Sequence, residues 1–247
     1  MTYKAEAPSK RTDQIGSKPK RFWKTVEIKA EGEGFGVTLD ARSVKTPKGT
    51  VLVLPNFALA ALVAREWEAV AETVDFTAMP LTRLGFAALD HMADGLEAAE
   101  AEAGRFSETD LICYPADYPQ ALMAREQAAW GPVIDWLKNE MGLEFIQQTS
   151  LAQRGQPRET VEGVKAILRS ADIYARAGLM AAIPLLGSVA LALALYKGRL
   201  SADDAFAASR VGEAFQAETW GEDAEASQRA EGMRRDAHSL NIWFRAL

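Results

Sequence analysis

The hydrophobic period of this chain changes once, between Pro55 and Asn56, and that change constrains the fold more than any other feature. Before it, apolar residues recur at every second position. Val26 and Ile28 alternate with Glu27 and Lys29, and Phe35, Val37 and Leu39 alternate with Gly36 and Thr38. Period two is the mark of a strand with one buried face. The turn-forming pieces Glu31-Gly32-Glu33-Gly34, Asp40-Ala41-Arg42 and Pro47-Lys48-Gly49 separate these runs from one another and from a short apolar run at 51–54. Short strands joined by tight turns predict a small antiparallel meander. After Asn56 the period becomes helical: Leu59, Leu62, Val63, Trp67, Val70 and Val74 trace one face.

Helical patterning then continues to the end. A second helix is predicted from Pro80-Leu81-Thr82, carrying Leu84, Ala88, Leu89 and Met92. Residues 95–103 are rich in Ala and Glu, good helix formers with a wet face. Ser107-Glu108-Thr109-Asp110 matches a capping box and predicts a helix start. Met123, Gln127, Trp130, Ile134, Leu137 and Met141 form a stripe at spacings of three and four. Gly131-Pro132 inside it predicts a kink or restart, and Gly142 a stop. Residues 143–148 read as a strand, and Pro157 opens a helix bearing Val161, Val164 and Leu168. The apolar run 179–195 is at the short limit for a membrane span. Pro184, Gly187 and Ser188 interrupt it, so two short buried helices are expected, broken or kinked at Pro184. Ser201-Ala202-Asp203-Asp204 is a capping-box-like start for a helix running through Val211 and Phe215 toward Trp220. Leu240-Asn241-Ile242-Trp243-Phe244-Arg245 should pack back on the core. Trp67 and Trp130, on apolar stripes, are expected to be structural. The fold class is α+β, a small N-terminal antiparallel β domain followed by a larger all-helical domain. Three regions are expected: a disordered basic arm over 1–20, a β-rich domain with packed helices over 21–105, and a helical domain over 106–247.

Charge and chemistry narrow the function. The net charge of -6 excludes whole-chain attraction to nucleic acid or an anionic membrane. Residues 1–24 nonetheless carry seven Lys and Arg against two acids, so the remainder is strongly acidic. The arm has no apolar h-region and is no secretory signal. It reads as a solvated terminus, with an organelle-targeting segment or an RNA-binding tail as the alternatives. The single cysteine, Cys113, permits no intramolecular disulfide and is expected to be buried and inert. His91 and His238 share no metal-ligand spacing with it or with each other. Gly32-Glu33-Gly34-Phe35-Gly36 is followed by a strand, so it reads as a hairpin turn and not as a phosphate cradle at a helix N-terminus. Asp203-Asp204 and Glu222-Asp223 sit at helix starts, where carboxylates favour the dipole. No catalytic residue, cofactor or metal site is assigned. Residues 220–236 are helix-compatible yet polar nearly all round, which fits either a solvated face or a partner surface.

Several runs, in order, carry a resemblance. They are Lys20-Arg21-Phe22-Trp23, Leu39-Asp40-Ala41-Arg42, Val44-Lys45-Thr46-Pro47, Ala64-Arg65-Glu66-Trp67 with Leu81-Thr82, and Thr109-Asp110-Leu111-Ile112-Cys113-Tyr114. Ala129-Trp130-Gly131-Pro132-Val133-Ile134-Asp135-Trp136 and Arg210-Val211-Gly212-Glu213 through Gln216 to Trp220-Gly221 follow. Together they resemble the ATP synthase assembly chaperones that bind the free alpha subunit of the catalytic head, over nearly the whole chain. Gly131 departs from the Asp of the family pattern, and Gly212 from a frequent Glu. The resemblance implies a β domain plus a helical domain, no catalysis and no small-molecule substrate. It also implies a role in holding new alpha subunit until beta subunit joins, in a bacterial cytosol or a mitochondrial matrix. Its last run coincides with an excess of acid, so the partner-binding residues expected are Glu213, Gln216, Trp220, Glu222, Asp223 and Glu225. On a helix, Glu213, Gln216 and Trp220 share a face. The competing assignment has Glu213 in an intrachain salt bridge and Trp220 in the core. From other classes, the alternatives are a small-molecule enzyme with an interdomain site and an RNA-binding protein using the arm.

Overall fold

The computed structural model describes residues 19–148, 155–221 and 223–247. The strands β1 (Val26–Glu31) and β2 (Gly34–Leu39) form an antiparallel hairpin with Val26 opposite Leu39 and Glu31 opposite Gly34. The two-residue turn needs Gly32, whose φ of 58° is a region that side chains disfavour. The next turn takes positive φ at Asp40 and Ala41 without a glycine. Asp40 is held there because its carboxylate accepts the backbone N–H groups of Lys24 and Thr25 and the Thr25 hydroxyl at 2.9–3.1 Å. Those donors also pull its carboxyl below the usual range. Arg42, read from sequence as part of the turn, begins a strand: β3 (Arg42–Ser43) and β4 (Val53–Leu54) both pair with the far side of β2. β1 is left as an edge. Of the expected arm, residues 1–18 lie outside the described residues. Lys20 bridges to Thr73, and the Pro19 carbonyl accepts the Val74 N–H.

Helix α1 (Phe57–Glu68) starts where the period changes, because the Asn56 side chain accepts the Leu59 N–H. It lays Leu59, Val63 and Trp67 on the sheet side of the core. Helix α2 (Pro80–Ala87) has no cap from its own N-cap residue, Met79. Glu66 of α1 supplies one, accepting the Leu81 N–H at 2.8 Å and the Thr82 N–H and hydroxyl at 2.7 Å. That joins two of the runs noted in the sequence. A π-helical turn over Ala88–Met92 leads to α3 (Leu96–Glu108).

Several expectations are corrected here. Ser107-Glu108-Thr109-Asp110 does not open a helix. Ser107 lies in the last turn of α3, donating to the Ala103 carbonyl, and Asp110 caps the single 3-10 turn Leu111–Cys113. Helix α4 (Gln120–Met141) keeps Pro132 inside it with no restart, and ends at Gly142 in the left-handed region. Residues 143–148 run without regular structure. Their polar groups go to side chains and single backbone bonds: Gln156 holds both backbone groups of Ile146, and the Gln148 N–H reaches the Cys113 carbonyl. Pro184 does not break the next apolar run. After α5 (Arg158–Ser170), α6 (Ile173–Leu186) contains Pro184 in its last turn. The break comes at Gly187, left-handed at φ 64°, and Ser188, which caps α7 (Val189–Tyr196). The predicted helix from Ser201 is two helices, α8 (Ala202–Ser209) and α9 (Val211–Trp220), parted at Arg210.

The last helix, α10 (Ala224–Ala246), buries Leu240, Trp243 and Phe244, as the apolar tail required. Gly178 makes the approach possible: a Cβ there would collide with the Phe244 ring. Trp243 donates to the Tyr174 carbonyl at 2.9 Å, and the Tyr174 hydroxyl to the Val53 carbonyl at 2.8 Å, so α10, α6 and β4 are tied in series. One buried apolar cluster extends from Trp23 to Phe244. The small N-terminal antiparallel sheet followed by a larger helical region is the α+β arrangement expected. Among the described residues no helix is long and apolar enough to cross a membrane.

Candidate docking surface

Helix α9 differs from its neighbours in burying no residue. Three attachments flank it or hold it. At its N-terminal side the Trp130 indole, 2% exposed, donates to the Ala208 carbonyl at 2.8 Å and fixes the end of α8. Along its length, Arg125 of α4 lies 5.2 Å from the centre of the Phe215 ring and makes a 2.7 Å salt bridge to Glu218. Each member of that pair shifts the other, Glu218 downward and Arg125 upward, through their hydrogen bond. Arg210, at the α8–α9 junction, bonds Glu213 and reaches the Met233 sulfur of α10 at 2.8 Å.

Among the described residues, the outward face of α9 is left exposed. Glu213 and Gln216 are exposed, and Trp220 is 78% exposed at the C-terminal tip, before Gly221 ends the helix. An indole is large and apolar, and its exposure is the informative anomaly. The competing assignment thus divides. Glu213 does make an intrachain salt bridge, with Arg210, while Trp220 stands outside the core. The exposed ion pair contributes little stability. Asp223 caps α10 by accepting the Glu225 N–H at 3.3 Å, and Glu225 lies 3.9 Å from Arg229. Glu222 lies outside the described residues. Arg125 was missed from sequence: it comes from α4, 93 residues from Glu218 along the chain, and no local pattern announces it.

Elsewhere the polar groups serve the fold. Asp110 is fully buried and accepts the Ile112 N–H at 3.3 Å and the Ala190 N–H at 3.0 Å, which places it over the N-terminus of α7. Cys113 is buried, and burial pushes its thiol up, away from the reactive thiolate. Arg176 is buried and donates to the carbonyls of Leu168, Met92 and Ala171, closing the ends of α5 and of the π turn. His238 lies 3.1 Å from Asp203, which Arg234 also bonds. Among the described residues no group of three His, Cys, Asp or Glu is placed to hold a metal ion.

Comparison with known proteins agrees with this architecture. Residues 20–138 match the family described as ATP12 chaperone protein. The mitochondrial protein atp12 of Schizosaccharomyces pombe is 26% identical over 214 residues, covering 82% of this chain and 74% of the relative. The crystal structure of Atp12 from Paracoccus denitrificans superposes with a TM-score of 0.87 at 36% identity, over 92% of this chain and 98% of that one. A mutant form of the P. denitrificans protein gives the same TM-score at 35% identity, over 93% and 99% of the two chains. Matched to these relatives in fold and over most of its sequence, the chain belongs to the ATP12 chaperone family.

Proposed function

We propose that this protein is an assembly chaperone for the catalytic head of an ATP synthase, that it acts without catalysis, and that it binds the unassembled alpha subunit through the outward face of α9. Membership of a chaperone family supports the general role, and the resemblance of the seven sequence runs supports the specific client. The observation that carries the docking surface is Trp220, 78% exposed on a helix that buries none of its own residues. Exposed tryptophans with a surrounding polar rim are the usual anchors of protein interfaces. Glu213, Gln216, Asp223 and Glu225 supply that rim, and Glu222 joins the proposed contact set on its place in the sequence alone. Their excess of negative charge would orient a basic patch on the client and raise the on-rate more than the affinity. A free subunit exposes interface surface that self-associates. Covering it and then yielding to the beta subunit requires a small, polar-rimmed contact. The protein would work in a bacterial cytosol or a mitochondrial matrix.

The test is an aggregation assay with purified alpha subunit at equimolar chaperone, run for wild type, Glu213→Lys and Trp220→Ala. Wild type should protect. Both variants should melt within about 1 kcal/mol of wild type, because the substituted side chains are exposed, yet protect poorly. Protection by both variants equal to wild type would remove α9 from the account. No protection by wild type would remove the client.

A further inference from the structure

The edge strand β1 carries information that the docking surface on α9 does not use. The Asp40 N–H donates to the Thr25 carbonyl at 3.1 Å, and Thr25 is the residue just before β1. In an antiparallel ladder bonded residues alternate, so Thr25, Glu27, Lys29 and Glu31 are bonded to β2. Val26, Ile28 and Ala30 turn their N–H and C=O groups to the outer edge, where no strand among the described residues pairs. Val26 and Ile28 also line a groove of about 450 Å³ between β1 and α1, with Phe57, Ala61 and Ala64 on the helix side. Phe57 is 57% exposed at its rim. Such an edge beside a groove accepts an extended strand.

The charge pattern selects the strand. Glu27 and Lys29 are exposed, 3.3 Å apart in one chain. In an antiparallel pairing of β1 with a second β1 centred on Ile28, Glu27 of each copy faces Lys29 of the other, twice. Val26 faces Ala30, and Ile28 faces Ile28. The same register opposes the outward backbone groups of 26, 28 and 30 to each other, as ladder hydrogen bonds require. Shifting the centre to Glu27 or to Lys29 places like charges directly opposite, which disfavours those registers. Alternating charges that discourage a foreign strand are self-complementary in this alignment over residues 26–30, whereas the register centred on Ala30, which also opposes Lys29 to Glu31, overlaps only residues 29–31 of the strand.

We propose that β1 is a self-association surface, through which two copies of this chain pair antiparallel about Ile28 and join their sheets. Sedimentation of the full chain over a concentration series should show a monomer–dimer equilibrium. Lys29→Glu replaces two attractive pairs by two repulsive ones and should weaken the dimer at least about tenfold. The double exchange Glu27→Lys with Lys29→Glu restores both pairs and should restore the dimer. Since 27 and 29 face each other in a close, non-hydrogen-bonded position, a Glu27→Cys, Lys29→Cys chain should oxidise to a dimer whose disulfides map as 27 to 29 between copies. A wild type that stays monomeric throughout overturns the proposal. So does a dimer indifferent to Lys29→Glu, which would use another face. None of these substitutions touches α9, so client binding is scored separately.

Discussion

Replacing Asp110 by Asn tests the most deeply buried carboxylate among the described residues. Asp110 has no exposed surface, and its two oxygens accept the N–H groups of Ile112 and Ala190. Desolvation outweighs these donors and pushes its carboxyl up from 3.8 to about 6. A carboxyl whose folded value lies above its unfolded value binds its proton more tightly in the native state. Its contribution is complete below pH 3.8 and is lost as the pH rises through about 6. The full difference of about two pH units corresponds to roughly 3 kcal/mol, and about 2 kcal/mol of it falls between pH 4.5 and pH 8. Asn cannot titrate. Urea unfolding of wild type and Asp110→Asn across that range should therefore give a stability difference that moves against wild type by about 2 kcal/mol as pH rises. Taking the difference cancels the exposed carboxylates that ion pairing holds low, such as Asp203 and Glu218, whose effect has the opposite sign. Asp110→Ala at neutral pH should cost about 3 kcal/mol, since it strips two buried N–H groups of their acceptor. A pH-independent difference, or one that grows in wild type's favour with pH, would refute the reasoning.

Two further outcomes follow from named contacts. Trp67→Ala and Trp130→Ala should each cost about 3–5 kcal/mol of thermal or urea stability, but the Phe substitutions should separate them. The Trp67 indole N–H is buried with no acceptor among the described residues, so Trp67→Phe should stay within about 1 kcal/mol of wild type. Trp130→Phe gives up the bond to the Ala208 carbonyl and should cost about 1–2 kcal/mol more. Glu66→Ala uncaps α2 from outside and should destabilise by about 2–3 kcal/mol in denaturant titrations, whereas an equal change at exposed Glu68 should be near neutral.

What the amino-acid sequence determined by itself was carried by short-range periodicity and by residues at the ends of elements. The change of period between Pro55 and Asn56 is a real boundary because Asn56 caps α1 with its own side chain. Gly142 stops α4 in the left-handed region, Ser201 caps α8 by accepting the Asp204 N–H, and Leu240, Trp243 and Phe244 return to the core. Each of these depends on residues within about one turn of each other. Whatever depended on a distant partner was decided by the tertiary structure. Ser107-Glu108-Thr109-Asp110 has the spacing of a helix start, but Asp110 is taken by the N-terminus of α7, 80 residues away, and α3 runs on through Ser107. Residues 143–148 read as a strand, yet no strand among the described residues pairs with them, and Gln156 and Cys113 take the backbone groups of Ile146 and the Gln148 N–H. Trp130 and Trp220 each sit on a helix at helical spacing. One is 2% exposed and the other 78%, because α4 is covered on that side by α8 while nothing in the described chain covers the tip of α9. Periodicity says which residues share a face of a helix, and only packing says whether that face meets the protein's own core or is left for something else.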